Sequence, residues 1–314
     1  MKHVDIFIIG SGSIALRHYR ICEEMSLNVH IFSPSKNRKE WLEENQFRVS
    51  HPEEVTCEIG IVCSSASRHL VDINLLGNIA KLIIVEKPLF PYQLIYKKIS
   101  CIHSEKIIVG FNKRFESGIQ EMKKISILEN SEIESITMKC LSDLNNWRRK
   151  DLRKLSESTS LQLRKGGGVL NELSHEIDLC EFLGGKIQEQ IGYKWKQKFK
   201  NFDVEDSALL INKQTEKNFI SSVFISFASS LESRVSEIRF KNGTNLIYDH
   251  LSQKLKRFYK GSLKSSDLFL EERNKSFKRQ IKAALEYGVK YKYFCNYERG
   301  LYYAVLSKEI LWLQ

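Results

Sequence analysis

No apolar stretch in the 314 residues reaches the ~18 to 20 needed to cross a bilayer. Nor does a low-complexity linker or an internal repeat interrupt the chain. The first residues run into a strand pattern rather than a charged leader, so a cytoplasmic location without a membrane partner is expected. Paired cysteines are missing too. The seven present, Cys22, Cys57, Cys63, Cys101, Cys140, Cys180 and Cys295, are odd in number, scattered and form no C-x-x-C. That argues against a disulfide framework or a zinc site, and leaves small core residues and no metal as the expectation. Acid is in short supply: 38 Asp and Glu face 49 Lys and Arg, a formal charge of +11. The excess favours an anionic partner, and a phosphorylated cofactor, a nucleotide-linked substrate or nucleic acid would each satisfy it. The densest basic runs, Lys254 to Lys260 and Arg273 to Lys282, read as a solvated helix face or loop, so nucleic acid is not the expected partner.

What is present is organised around the first seventeen residues. The apolar run Val4 to Ile9 meets Gly10-Ser11-Gly12-Ser13-Ile14-Ala15, and Leu16-Arg17-His18 follow. A buried strand, a tight turn and a helix are predicted, with free N–H groups and the positive end of the helix dipole aimed at an anion. Gly10 permits the turn, Gly12 lets a pyrophosphate approach the backbone, and Ala15 is small where helix meets strand. Ser11, Ser13 and Ile14 complete the candidate dinucleotide cradle. A second absence lies about 20 positions on, where an acid would select NAD. The strand Asn28 to Phe32 closes instead on Ser33, with Ser35, Lys36 and Arg38 beyond it. NADP is therefore the expected cofactor, with NAD as the alternative.

Further buried strands are predicted at Glu58 to Cys63, Lys81 to Val85 and Lys106 to Val109, separated by helices. Such alternation means a doubly wound parallel sheet, in which Ser33, Ser64, Lys87 and Asn112 rim one crevice beyond the strand ends. From about Ser117 the pattern changes to strands joined by short turns, among them Ala208 to Ile211, Phe219 to Phe227 and an Asn242-Gly243 hairpin. A second, mainly antiparallel domain follows, so residues 1–116 and 117–314 form two domains. Helices are expected after Gly166-Gly167-Gly168, from about Leu268 to Tyr287, and through Leu301 to Leu311.

Two places can carry proton chemistry. Lys87 ends a buried strand, and Pro88 is read as opening the next helix. A lysine there can donate to a substrate oxygen. In the run from Gly166 to Asp178, Asn171, Glu172, His175 and Asp178 are spaced to share one helical face, and a neighbouring carboxylate can tune the histidine as acid or base. Lys87 and His175 can reach one hydroxyl only if a crevice lies between the domains.

Gly10-Ser11-Gly12, Glu86-Lys87-Pro88, Gly110-Phe111-Asn112-Lys113-Arg114-Phe115 and the Gly166 to Asp178 run together resemble the glucose–fructose oxidoreductase / inositol dehydrogenase (Gfo/Idh/MocA) family. The resemblance implies an N-terminal Rossmann domain and a C-terminal α+β domain with an open sheet used for oligomerisation, hence a homo-oligomer, dimer or tetramer. It also implies NAD(P)-linked oxidation or reduction of a sugar, nucleotide sugar or cyclitol. By the same resemblance Glu86 joins the cofactor residues, and Asn112 and Arg114 the substrate residues. Lys87 contacts the reacting hydroxyl, and a helix acid shares the proton work with His175. The family spacing D-x-x-x-H is not kept here. Counted from the glycines the acid position is Glu172, and counted back from His175 it is Asn171, so both stay candidates. Trp147-Arg148 with Asp151-Leu152-Arg153 resembles the W-R…D-Y-R loop of members similar to enzymes of bacterial surface-glycan synthesis. The alternative is a cofactor- or sugar-sensing regulator on the same scaffold, without turnover.

Overall fold

The structure, a computed structural model, describes residues 1–94, 103–147, 157–215 and 219–313. It divides into two units: Met1–Asn112 with Arg273–Ala304, and Lys113–Glu272 with the residues from Val305 onward. The first unit opens with β1 (Lys2–Ile9), α1 (Ser13–Glu24), β2 (Val29–Phe32), α2 (Lys36–Glu44), β3 (Val55–Val62), α3 (His69–Gly77), β4 (Ala80–Val85) and β5 (Ile107–Val109). These five strands pair in parallel in the order β5-β4-β3-β1-β2. The doubly wound sheet expected from the alternation is thus present. Its strands are apolar on both faces because helices cover both: Ile6, Phe7, Ile8 and Ile9 are all fully buried.

The second unit contains α4 (Ser117–Leu128), β6 (Ile133–Asp143), α5 (Leu144–Trp147), α6 (Val169–Glu172), α7 (His175–Gly184), β7 (Ile187–Trp195), β8 (Ser207–Gln214), β9 (Ile220–Ser226), β10 (Ala228–Phe240), β11 (Thr244–Asp249), β12 (Lys254–Tyr259) and β13 (Ser262–Leu268). Its sheet runs β13-β12-β11-β10-β6-β9-β8-β7, with Leu311–Trp312 at the far edge. All pairs are antiparallel except β6 with β9 and the edge pair. Alternation of buried and exposed residues, clean along β8, gives the sheet one covered face and one open face.

Four sequence expectations are corrected. Residues 254–260 form a strand, not a helix face or loop, because charges alternate with Leu255 and Phe258, and the backbone reverses at Lys260 and Gly261, both with positive φ. The late helix is Lys275–Tyr287 rather than one starting near Leu268, which ends β13. Pro88 opens no helix. Residues 87–90 bend, because Pro91 disfavours helical backbone at Phe90. The segment Arg273–Ala304, expected in the second domain, packs in the first unit instead. There Phe277 meets the His18 ring edge-on at 5.2 Å, Lys278 pairs with Glu24 at 2.8 Å, and Cys295–Asn296 pairs with β5. Periodicity shows that a helix has an apolar face, not which sheet that face will cover.

Candidate functional site

The winding of the parallel sheet reverses at β1, so the carboxyl ends of β1 and β3 part at the position where such sheets hold ligands. Gly10 ends β1 with φ +136, and a Cβ there would lie 2.7 Å from the carbonyl carbon and oxygen of Cys63. The protein itself requires this glycine. Gly12 differs. Its φ of −80 and ψ of 177 suit any residue, and a Cβ would meet nothing within 4 Å. What the missing side chain preserves is open space over the first turn of α1, which has no side-chain cap and no acidic residue. The first N–H groups of a helix lack intrahelical partners and carry the positive end of its dipole, so the turn fits a dinucleotide pyrophosphate.

Three more expected cofactor residues gather around the same turn. The Ser11 and Ser33 hydroxyls are 3.1 Å apart, and Arg38 Nη2 donates to the Ser11 carbonyl at 2.6 Å. Arg38 also lies over the Trp41 ring at 4.3 Å, which holds the guanidinium in place. Ser33 is buried and Ser35 exposed at the start of α2. Ser64 stands just past β3, and its hydroxyl is buried without a hydrogen-bond partner, so it is fitted to receive one from outside the chain.

Past β4, the Glu86 carboxylate is not presented to a ligand. It accepts from His18 Nε2 at 2.8 Å, and His18 is completely buried on α1. Lys87, partly exposed, follows it. The loop is braced again at Leu89, whose carbonyl lies 3.0 Å from His69 Nδ1, while His69 Nε2 is 3.3 Å from the Ser64 carbonyl. Burial pushes the His69 imidazole below its ordinary range, and a neutral ring has one N–H, which goes to the nearer Leu89 oxygen. Neither His18 nor His69 stood out in the sequence; the available signal was a polar ring on the apolar face of each helix. Asn112 is buried, and its amide donates to Ser276 at 2.9 Å.

In the second unit the expected single helix is broken into α6 and α7 at Leu173 and Ser174. The Ser174 hydroxyl donates to the Asn171 carbonyl at 3.0 Å, a local bond that competes with helix continuation. The spacing that put Asn171, Glu172, His175 and Asp178 on one face therefore does not hold across the break. Asn171 donates to the Gly167 carbonyl at 3.1 Å, and Glu172 accepts from Ser160 at 2.7 Å. Asp178 is buried in a bidentate pair with Arg114, 2.8 Å to Nε and 2.6 Å to Nη2. Those donors, expected on substrate, serve the fold instead, because a buried carboxylate must be paired. The glycines here are internal as well. A Cβ on Gly167 would meet the Ser160 carbonyl at 2.5 Å, and one on Gly168 the Glu205 carboxylate at 2.5 Å. Glu205 was not singled out in the sequence; its carboxylate accepts from the Leu170 N–H at 3.1 Å. His175 is the first residue of α7 and partly exposed. Trp147, 39% exposed, sets its ring edge against Phe227 at 6.0 Å. Arg148, Asp151, Leu152 and Arg153 lie outside the described residues.

No protein-family model matches the chain, and no curated protein matches it. Solved structures do. Levoglucosan dehydrogenase in complex with NADH is 15% identical with a TM-score of 0.77, covering 98% of this chain and 96% of that one. An oxidoreductase domain protein from Kribbella flavida is 16% identical with a TM-score of 0.77, over 98% and 97% of the two chains. UDP-N-acetylglucosamine 3-dehydrogenase GnnA from Acidithiobacillus ferrooxidans is 13% identical with a TM-score of 0.70, over 98% and 96%. At these identities, what the chain has in common with them is its fold, a six-stranded, mainly parallel sheet joined to a larger, mainly antiparallel one.

Proposed function

We propose that this protein is an NADP-preferring oxidoreductase acting on a hydroxyl-bearing carbon of a sugar, nucleotide sugar or cyclitol, with bacterial surface-glycan synthesis as its setting. The observation that carries the reading is Gly12, whose missing side chain leaves open space over an uncapped helix start at the reversal point of the sheet. Neighbours of the same fold include a levoglucosan dehydrogenase with NADH and a UDP-N-acetylglucosamine 3-dehydrogenase, which supports a sugar substrate and a nicotinamide cofactor. When bound, the nicotinamide supplies hydride donation or acceptance. The chain supplies the rest. Backbone N–H groups at Ser13 and Ile14 hold the pyrophosphate, and Ser64 contributes its hydroxyl. Lys87 donates to the reacting oxygen, and His175 takes or returns the hydroxyl proton. Glu172 and Asn171 remain the two candidates for orienting the histidine.

The cofactor preference rests on Ser33 and Arg38, since no carboxylate is present to bind a ribose 2′-hydroxyl or repel a 2′-phosphate. Fluorescence titration should give tighter binding of NADPH than NADH, and Ser33→Asp should invert the order; a native preference for NADH would refute this assignment. A turnover screen of free sugars, nucleotide sugars and cyclitols with both cofactors tests the activity. Dinucleotide binding without any turnover would instead favour the sensing regulator.

The open face of the second sheet supports a homo-oligomer. Ile191 stands opposite Ile211 and Tyr193 opposite Leu209, and all four are exposed. Contiguous apolar residues of this kind mark an interface. Sedimentation should show a dimer or tetramer in the native protein and a monomer in Ile211→Glu; an unchanged assembly in that variant would place the interface elsewhere. Six free, buried cysteines among the described residues suit the reducing cytoplasm, the proposed location.

A further inference from the structure

The second unit buries a set of polar groups to which the reading above gives no role. Lys113 and Glu116 precede α4, Glu176 is the second residue of α7, Arg234 and Ser236 lie on β10, and His250 follows β11. Four of them form a closed chain. The Lys113 ammonium contacts Glu116 Oε1, Glu116 Oε2 is 2.7 Å from His250 Nδ1, and His250 Nε2 is 2.9 Å from the Ser236 hydroxyl. Burial pushes the His250 imidazole below its ordinary range. Burial would raise Glu116, but the hydrogen bond from His250 and the Lys113 charge bring it down to about 2. A serine, a histidine and a carboxylate in this order have the form of a nucleophile relay, yet Ser236 is 1% exposed and meets no substrate. The chain serves to hold Glu116 and Lys113.

The remaining pair is open. Arg234 Nε and Nη2 both lie 2.7 Å from the same oxygen of Glu176, Oε1. Glu176 is 2% exposed, and its other oxygen, Oε2, is buried with no hydrogen-bond partner; Arg234 Nη2 likewise has no well-directed acceptor. A buried carboxylate oxygen left without a donor is costly, so native proteins fill such positions with water or ligand.

We infer that Glu176 Oε2 and Arg234 Nη2, with Lys113 beside them, form a binding point for a hydroxyl of an uncharged polyol ring. The inference rests on the proposed function only in taking that ring to be the substrate's. The charges decide the ligand class. Two cations, two carboxylates and a neutral imidazole sum to zero, so a phosphate or a uronate would face Glu176 and Glu116 with no net compensation, and an ammonium group would face Arg234 and Lys113. A hydroxyl alone both donates, here to Oε2, and accepts, here from Nη2. Water can fill the point in the free protein and be displaced by the ring.

The test is calorimetric binding to the full chain, with and without NADP, of matched pairs: glucose against glucuronate, UDP-glucose against UDP-glucuronate, and myo-inositol against its phosphate. At least one neutral member should bind more tightly than its charged counterpart. Glu176→Gln alone would leave Arg234 unpaired and risks misfolding, so the informative variant is Glu176→Gln with Arg234→Met, which removes the pair together. It should weaken the neutral ligand roughly 10- to 100-fold, the usual loss for a hydrogen bond to a charged group, while dinucleotide binding and melting temperature hold. Tighter binding of the charged members, unchanged affinity in the double variant, or no binding by any neutral member would each overturn the inference. Failure of the oxidoreductase reading would show separately, as polyol binding without dinucleotide binding.

Discussion

Gly12→Val should abolish dinucleotide binding while leaving the melting temperature near that of the native protein. The backbone at Gly12 already lies where valine is allowed, and a Cβ there has no protein atom within 4 Å. The cost therefore falls on whatever occupies the space above α1. Gly10→Ala, two residues away in the same turn, is the control with the opposite result. It places a Cβ 2.7 Å from the Cys63 backbone at a φ of +136. Such strain costs at least about 1–3 kcal/mol, so stability should fall before binding can be measured. Titration with NADPH and thermal melting by circular dichroism separate the two outcomes. Retained dinucleotide affinity in Gly12→Val would show that the phosphates do not lie over this turn.

Replacing either proton-handling residue should have the next largest effect. Lys87→Ala and His175→Ala should each lower turnover by about 10² to 10⁴, the usual contribution of a positioned acid or base, with NADP affinity unchanged. If the two serve the same proton, the double variant should lose far less than the product of the single losses. Glu172→Gln and Asn171→Ala, made separately, identify the partner of the histidine. Only the true partner should match the defect of His175→Ala. The described bonds of Glu172 and Asn171 go to Ser160 and Gly167, so each variant also releases a local contact, and melting curves are needed beside the rates. Full activity in His175→Ala would leave Lys87 as the remaining candidate.

The glycines show how far residue type alone can be read. Gly10, Gly12, Gly167 and Gly168 all look alike as places where a backbone or ligand comes close. In the structure three of them make room for the protein's own atoms, Cys63, Ser160 and Glu205, and only Gly12 opens on empty space. Charged motif residues divide in the same way. Glu86 turns to His18 and Arg114 to Asp178, pairs separated by 68 and 64 positions, which no local pattern reveals.

The sequence by itself determined the parallel sheet, the reversal of pattern near Ser117, the hairpin at Asn242-Gly243 and the turn that begins α1. All of these follow from periodicity and turn chemistry acting over a few residues. Tertiary structure alone decided that Lys275–Tyr287 covers the first sheet, that the helix before His175 breaks at Ser174, and that Glu176 keeps one oxygen unfilled against Arg234. Each of these depends on which distant group arrives to satisfy a buried face, donor or charge, and that choice is made by packing across the whole unit rather than by neighbours in the chain.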